Sequence, residues 1–334
     1  MFVMTSVEMK SFHTPILLIA FNRPDHTRRV LEAIMTIQPC DLYVFQDGAR
    51  EGNGRDVMKC EEVRGVIEEM TSGKEVRIHE NFSDKNLGCG PGPAAALDWF
   101  FEHEEMGIVL EDDAVPHPDF FPYCEELLLR YKDDTSVRAI GSMKIAQEKE
   151  YGDGSYYFSM MNRNLCAWAT WRRAWKSFDI SMQNVNRGDL RKAMRKYGCG
   201  LVECEYWVDR LDEVHENLCE GKSWDMQFIM SIWMNHGKGI IPNVNLTSNI
   251  GTVGEATHSM RAGNIIDNLP SCPILPLRHP STLEIQYEAD RRFHYHYFEP
   301  LKKSLGSMKT LYYVFNKRVK RFVGHKGPWI KKRK

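Results

Sequence analysis

The chain reads as an α/β protein, a central and mostly parallel sheet with flanking helices, closed by a helical basic C-terminal tail. Three observations predict it. Strand-length apolar runs alternate with segments of helical periodicity. The runs are apolar at consecutive positions, as strands covered on both faces require. Polar residues with chemical potential follow the runs directly, at the carboxyl ends where such sheets bind ligands.

Thr14–Phe21 is the first run, ended by Asn22, Arg23 and Pro24. Residues 27–38 carry Val30, Leu31, Ile34 and Ile37, a helical stripe. Leu42–Phe45 is a second strand, closed by Gln46, Asp47 and Gly48; Asp-Gly also favours a plain tight turn. A helix over Val57–Met70 and a strand over Glu75–His79 follow. Asn86–Pro93 is glycine-rich and opens a helix over Ala94–His103, an arrangement that lets backbone approach an anion. It lacks both the Walker Lys-Ser/Thr pair and the G-x-G-x-x-G spacing, so neither a P-loop nor a dinucleotide fingerprint is supported.

Residues 108–119 organise the rest. Ile108–Leu110 reads as a buried strand, followed at once by Glu111, Asp112 and Asp113, and then by Pro116 and Pro118. Three adjacent carboxylates at a strand end repel and desolvate one another unless a cation relieves them. Mn²⁺ or Mg²⁺ with oxygen ligands is the usual relief. The alternative is capping of the helix expected over Phe120–Arg130.

Farther on, Trp168, Trp171 and Trp175 are spaced three and four apart, so all three fit one helical face, as packing or as sugar-stacking groups. Trp168 is the candidate among them for stacking on a ligand ring. Residues 183–222 read as helical and could serve a substrate or simply be exposed. Ser223, Trp224 and Asp225 begin another helix, where Asp225 complements the dipole or does chemistry. Residues 248–261 form a polar, glycine-containing loop with Asn249 and His258, suited to closing over a ligand.

The 334 residues are 43% hydrophobic, enough for a substantial core. No apolar run approaches the roughly 18 residues of a membrane span, and no charged-then-apolar leader is visible. Nine cysteines without CxxC spacing read as reduced thiols, so a cytoplasmic setting is expected. The net charge of −1 hides an asymmetry: residues 302–334 hold 12 Lys/Arg and no acid. Apolar residues between Leu311 and Phe322 recur at steps of three and four, so the tail fits an amphipathic helix on an anionic membrane surface. Nucleic acid is not expected, because the remainder of the chain is acidic.

The ordered set Ala20-Phe21-Asn22-Arg23-Pro24, Asp47-Gly48, Asn86-x-Gly88 and Glu111-Asp112-Asp113 resembles the GT-A nucleotide-sugar glycosyltransferases. Residues 109–113 and 118–121 are similar to the metal-site region of the N-acetylglucosaminyltransferase I group and its bacterial relatives. The segments 168–175, 241–246 and 248–258 extend the likeness over roughly residues 14–260. The resemblance implies a GT-A-like domain over 1–285, with the tail at 286–334. It implies an inverting, metal-dependent transfer from a UDP-hexosamine or UDP-hexose to a glycan or lipid-linked saccharide, in surface polysaccharide synthesis. Asp113 would reach the metal, and Glu111 and Asp112 the ribose, sugar or outer ligands. Ala20, Phe21, Asn22, Arg23, Asp47, Asn86, Trp168, Asn249 and His258 would line the donor, and Asp225 would be the base. Two other readings stay open: a nucleotidyltransferase making an activated sugar, and a carbohydrate-binding protein on a decayed scaffold.

Overall fold

The first strand, β1 (Ile16–Ala20), is buried throughout and divides its side chains between two cores: Ile16, Leu18 and Ala20 join one, Leu17 and Ile19 the other. Strand side chains alternate faces, so an unbroken apolar run demands cover on both sides. The computed structural model describes residues 11–144, 149–160, 166–216, 224–251, 269–297, 312 and 314–319. His258 lies outside them.

Helix α1 (Pro24–Met35) begins directly after the β1 turn, with Pro24 in its first turn, where a missing N–H costs nothing. Then come β2 (Asp41–Gln46), α2 (Gly54–Thr71), β3 (Arg77–Phe82), α3 (Pro91–His103) and β4 (Met106–Glu111). The short β5 (Ala114–Pro116) leads to α4 (Phe120–Arg130), β6 (Val137–Gly141), β7 (Tyr156–Ser159), β8 (Ala167–Trp171) and α5 (Arg172–Trp175). The remaining elements are α6 (Arg187–Lys196), α7 (Leu201–His215), α8 (Asp225–Met234), β9 (Lys238–Pro242), β10 (Thr247–Asn249) and α9 (Tyr287–Tyr297).

Eight strands form one sheet in the order β3-β2-β1-β4-β8-β6-β9-β7, while β10 and β5 pair as a separate ribbon. β3, β2, β1 and β4 are parallel. β8 inserts antiparallel between β4 and β6, β9 runs parallel to β6, and β7 antiparallel to β9. The mixed, mostly parallel sheet and its flanking helices match the expected fold class. Because Leu110 pairs with Ala167, the amino end of β8 lies beside the carboxyl end of β4. One core packs α1, α2 and α4 on the sheet, another packs α3 and part of α8 on the opposite face, and a third joins α6, α7, α8 and Phe293.

The tryptophan stripe is not a helical face. Trp168 and Trp171 lie on β8, and their separation of three places them on opposite sheet faces, in different cores. Only Trp175 is helical, and it shares a core with Trp168. Past the boundary expected at residue 285, α9 is tied into the body. Asp290 accepts from Ser159 Oγ and from the Met160 amide at 3.0 Å, and Trp207 Nε1 donates to His294 Nε2 at 3.0 Å. In the tail, residues 314–319 are helical. Val314 is buried, Lys317 pairs with Asp209, and Arg318 Nε reaches Glu205 at 3.2 Å. No helix among the described residues is long and apolar enough to cross a membrane.

Candidate metal and donor site

β4 ends on Glu111, and the turn into β5 carries Asp112 and Asp113. The turn is pinned from two sides: Glu111 N donates to Cys166 O at 2.7 Å, and Ile250 N donates to Asp113 O at 2.8 Å. Sequence neighbours thereby face different ways. Asp112 Oδ2 accepts the Phe21 amide at 3.3 Å, whereas Asp113 Oδ2 takes Arg23 Nη1 at 3.1 Å. Arg23 also lies 3.5 Å from Asp112 Oδ1. It is therefore no solvated surface charge: its guanidinium partly neutralises the cluster.

Glu111, Asp113 and Cys166 each offer a donor atom, and the three atoms lie within 4.8 Å of one another. Asp113 Oδ1 is buried with no hydrogen-bond partner. Gly251 closes over this carboxylate so tightly that a Cβ there would stand 2.2 Å from Asp113 Oδ2. An orphaned carboxylate oxygen, a three-donor set and a cradle kept open by a glycine fit a divalent cation. Glu111 thus stands with the candidate donors, while Asp112 holds the β1 turn.

Burial pushes Glu111 well above the usual carboxylate range, and the charges of Asp113, Asp112 and Asp225 add to it against the relief of Arg23. Burial likewise pushes Asp112 up to about 7, opposed by Arg23 and the Phe21 amide. Asp225, which opens α8 next to Trp224, is close enough for its charge to raise Glu111 although it comes from far along the chain.

The β1 turn is held by residues that the sequence reading passed over. Asn22 Nδ2 donates to Asp56 Oδ1 at 2.8 Å, and Arg50 Nη2 donates to the same oxygen at 2.9 Å. Arg50 also lies over the Phe21 ring, 5.7 Å from its centroid. Asp56 is reached through the Asn53 cap, whose Oδ1 accepts from the amides of Arg55 and Asp56 at 3.2 Å. Ala20 enters through its backbone, its carbonyl accepting Asp47 N at 3.0 Å.

Asp47 and Asn86 do meet, but as a staple within the chain. Asp47 Oδ1 accepts from Gly48 N at 2.9 Å and Leu87 N at 2.8 Å; Oδ2 accepts from Gly88 N at 2.9 Å and Asn86 Nδ2 at 3.0 Å. Gly88, at φ 82°, presents its amide from a left-handed conformation that suits glycine. Burial raises the Asp47 pKa and the three backbone amides pull against it. Trp168 likewise departs from its expected role. It is fully buried, with ring centroids of Phe228 and Trp224 at 5.1 and 5.8 Å, and so offers no open face to a sugar. Asn249 is tied down by its own surroundings, Nδ2 donating to Cys166 Sγ at 3.6 Å and Oδ1 accepting Gly251 N at 2.9 Å.

No family model matches the chain. Among solved structures it is similar to an apo UDP-glucose pyrophosphorylase at 9% identity and TM-score 0.36, over 71% of this chain and 92% of that one. A UDP-glucose pyrophosphorylase complexed with UDP-glucose matches at 11% identity and TM-score 0.31, covering 49% of this chain and 78% of that chain. The inositol-1-phosphate CTP transferase from T. maritima gives 9% identity and TM-score 0.28, over 49% and 73%. These are nucleotidyltransferases rather than glycosyltransferases, and at such scores the likeness reaches no further than a general sheet-and-helix arrangement. Fold and site together define a mixed α/β protein with a carboxylate cluster where parallel strands end.

Proposed function

We propose that the chain is a metal-dependent glycosyltransferase that moves a hexose or hexosamine from a nucleotide diphosphate, best a UDP-sugar, with inversion at the anomeric carbon. The observation that carries this is the donor set of Glu111, Asp113 and Cys166 around a buried, unpartnered Asp113 oxygen, with the charge of Asp225 acting on Glu111. Asp113 and Glu111 would hold Mn²⁺ or Mg²⁺. Such an ion, when bound, neutralises the diphosphate and the charge that grows on it as it leaves. Phe21, Asn22 and Arg23 hold the nucleoside end, positioned by Asp112, Asp56 and Arg50. The Asp47 staple sets the 86–88 turn that borders it.

Asp225 acts as general base. The acceptor hydroxyl attacks the anomeric carbon, its proton passes to the Asp225 carboxylate, and the bond to the diphosphate oxygen breaks in the same displacement. One carboxylate suffices, so no covalent sugar intermediate is needed. The acceptor is a glycan or lipid-linked saccharide of surface polysaccharide synthesis. Membrane attachment through the tail is part of the proposal, and exposed Tyr312, Phe315 and Val319, spaced three and four apart, support it.

The second reading, a nucleotidyltransferase, draws on the character of the matched structures. Against it, only Phe21, Asn22 and Arg23 separate β1 from α1, and Arg23 is engaged with Asp112 and Asp113. A triphosphate-cradling loop rich in glycine and cations does not fit in that length. The deciding experiment supplies Mn²⁺ with a panel of nucleotide sugars in one arm, and with nucleoside triphosphates plus sugar 1-phosphates in the other. Nucleoside diphosphate release in the first arm is expected. Pyrophosphate release in the second arm alone overturns the glycosyltransferase assignment.

A further inference from the structure

We infer that Cys166 is a donor to the divalent cation held by Asp113 and Glu111, making this site thiophilic; the inference rests on the metal site proposed above. Carboxylate oxygens bind small divalent ions at about 2.0–2.2 Å and a thiolate binds zinc at about 2.3 Å, so donors across one ion stand up to roughly 4.5 Å apart. The Cys166 sulfur and the Glu111 and Asp113 oxygens, all within 4.8 Å of one another, form a triangle that one ion can fill with little movement.

The position of this thiol is set by the sheet. Leu110 pairs with Ala167, and the bond from Glu111 N to Cys166 O at 2.7 Å carries the β4–β8 pairing one residue further, to the site itself. Asn249 then addresses the sulfur: Nδ2 donates to it at 3.6 Å, while Oδ1 is fixed by Gly251 N at 2.9 Å. An oriented amide on a ligating sulfur is the kind of outer support that metal-binding side chains receive. Independently, Asp113 Oδ1 is buried in the same place without a partner. Buried cysteines often serve as small apolar filler. A filler gains nothing from standing against two carboxylates and a donating amide.

Softness then predicts selectivity. Thiolate donors favour zinc, cadmium and related ions, whereas magnesium favours all-oxygen sites. Cys166 would thus be a residue that tunes metal choice.

The test uses the full chain and metal salts alone, Cd²⁺ and Mg²⁺, with wild type, Cys166→Ala, Cys166→Ser and Asp113→Ala. Calorimetry gives affinities, and the ultraviolet thiolate-to-cadmium charge-transfer band reports the bond directly. Other cysteines contribute equally to each protein and cancel in difference spectra. Cys166→Ala should lose that band and weaken Cd²⁺ binding about 10–100-fold, the usual scale of a disturbed metal site. Its Mg²⁺ affinity should change far less. Cys166→Ser, nearly isosteric and judged by its melting curve, should show the same loss of cadmium preference if the alanine variant folds poorly. A cadmium band and affinity that survive both substitutions, while Asp113→Ala abolishes Mg²⁺ binding, overturn the role of Cys166 alone. Mg²⁺ and Cd²⁺ binding untouched by Asp113→Ala overturn the underlying metal site as well.

Discussion

Gly251→Ala is a single methyl group aimed at the proposed metal ligand. The new carbon would stand 2.2 Å from Asp113 Oδ2, 3.0 Å from its Cγ and 3.1 Å from Asn249 Oδ1. Comfortable carbon contacts settle near about 3.5 Å, so the carboxylate must retreat by roughly 1 Å. A misplacement of that size costs on the order of 10²-fold in rate, about 2.7 kcal/mol. Overpacking adds about 1–3 kcal/mol of lost stability. In an Asp113→Ala background the methyl has no carboxylate to displace, and its effect on binding should largely vanish. The four proteins of this cycle would be compared by Mn²⁺ calorimetry, donor-hydrolysis rate and thermal melting. Contacting residues couple by about 0.5–3 kcal/mol, and a value near the top of that range is expected. Wild-type Mn²⁺ affinity in Gly251→Ala, or strict additivity across the cycle, would refute the claim that Gly251 shapes the metal site.

Asp225→Asn should keep donor binding and lose about 10²–10⁴-fold in transfer, measured by product formation alongside nucleotide-sugar calorimetry; normal turnover would leave Asp225 a helix cap. A product that retains the donor's anomeric configuration by NMR would reject inversion. Asp56 has its pKa lowered to about 2 from 3.8, chiefly by the hydrogen bond from Arg50. A depressed carboxylate stabilises the fold above its unfolded pKa, and that stability fades as pH falls through about 2. Arg50 is 54% exposed, so the contribution is discounted to about 1 kcal/mol. Asp56→Asn should therefore be less stable at neutral pH, with the gap closing between about pH 4 and 2 in acid melts, and a constant gap across that range would contradict it. Deleting residues 302–334 should abolish salt-sensitive pelleting with anionic liposomes; equal pelleting of both proteins would remove the tail as anchor.

The strands that carry the site were legible because β1, β2 and β4 hold unbroken apolar runs and polar residues come directly after them. Phe120–Arg130 is helical over the expected residues, and α6 and α7 occupy the stretch read as helical. Trp168 was misread because a spacing of three suits a helix as well as a strand crossing between two cores, and only the neighbours of β8 decide. Cys166 left no local signal: its meaning comes from antiparallel pairing with a strand completed long before it in the chain. Asp56 lay one residue before the expected helix, and only the earlier start of α2 puts it in a first turn facing Asn22. Asp47, rightly placed at a strand end, spends its oxygens on the 86–88 turn, a choice no spacing rule reveals.

The insertion of β8 also governs when this protein becomes safe to make. β1 to β4 emerge in succession from the ribosome and can pair as they appear, but the outer edge of β4 waits until α4, β6 and β7 have been synthesised. Until then Ile108, Val109 and Leu110, all fully buried in the finished chain, sit on a bare strand edge. Uncovered apolar edges recruit strands from other chains. A nascent or truncated product ending between Glu111 and Ala167 is therefore a seed for aggregation. The segment that seals that edge is also the one that delivers Cys166, so solubility and the last donor of the site arrive in one step.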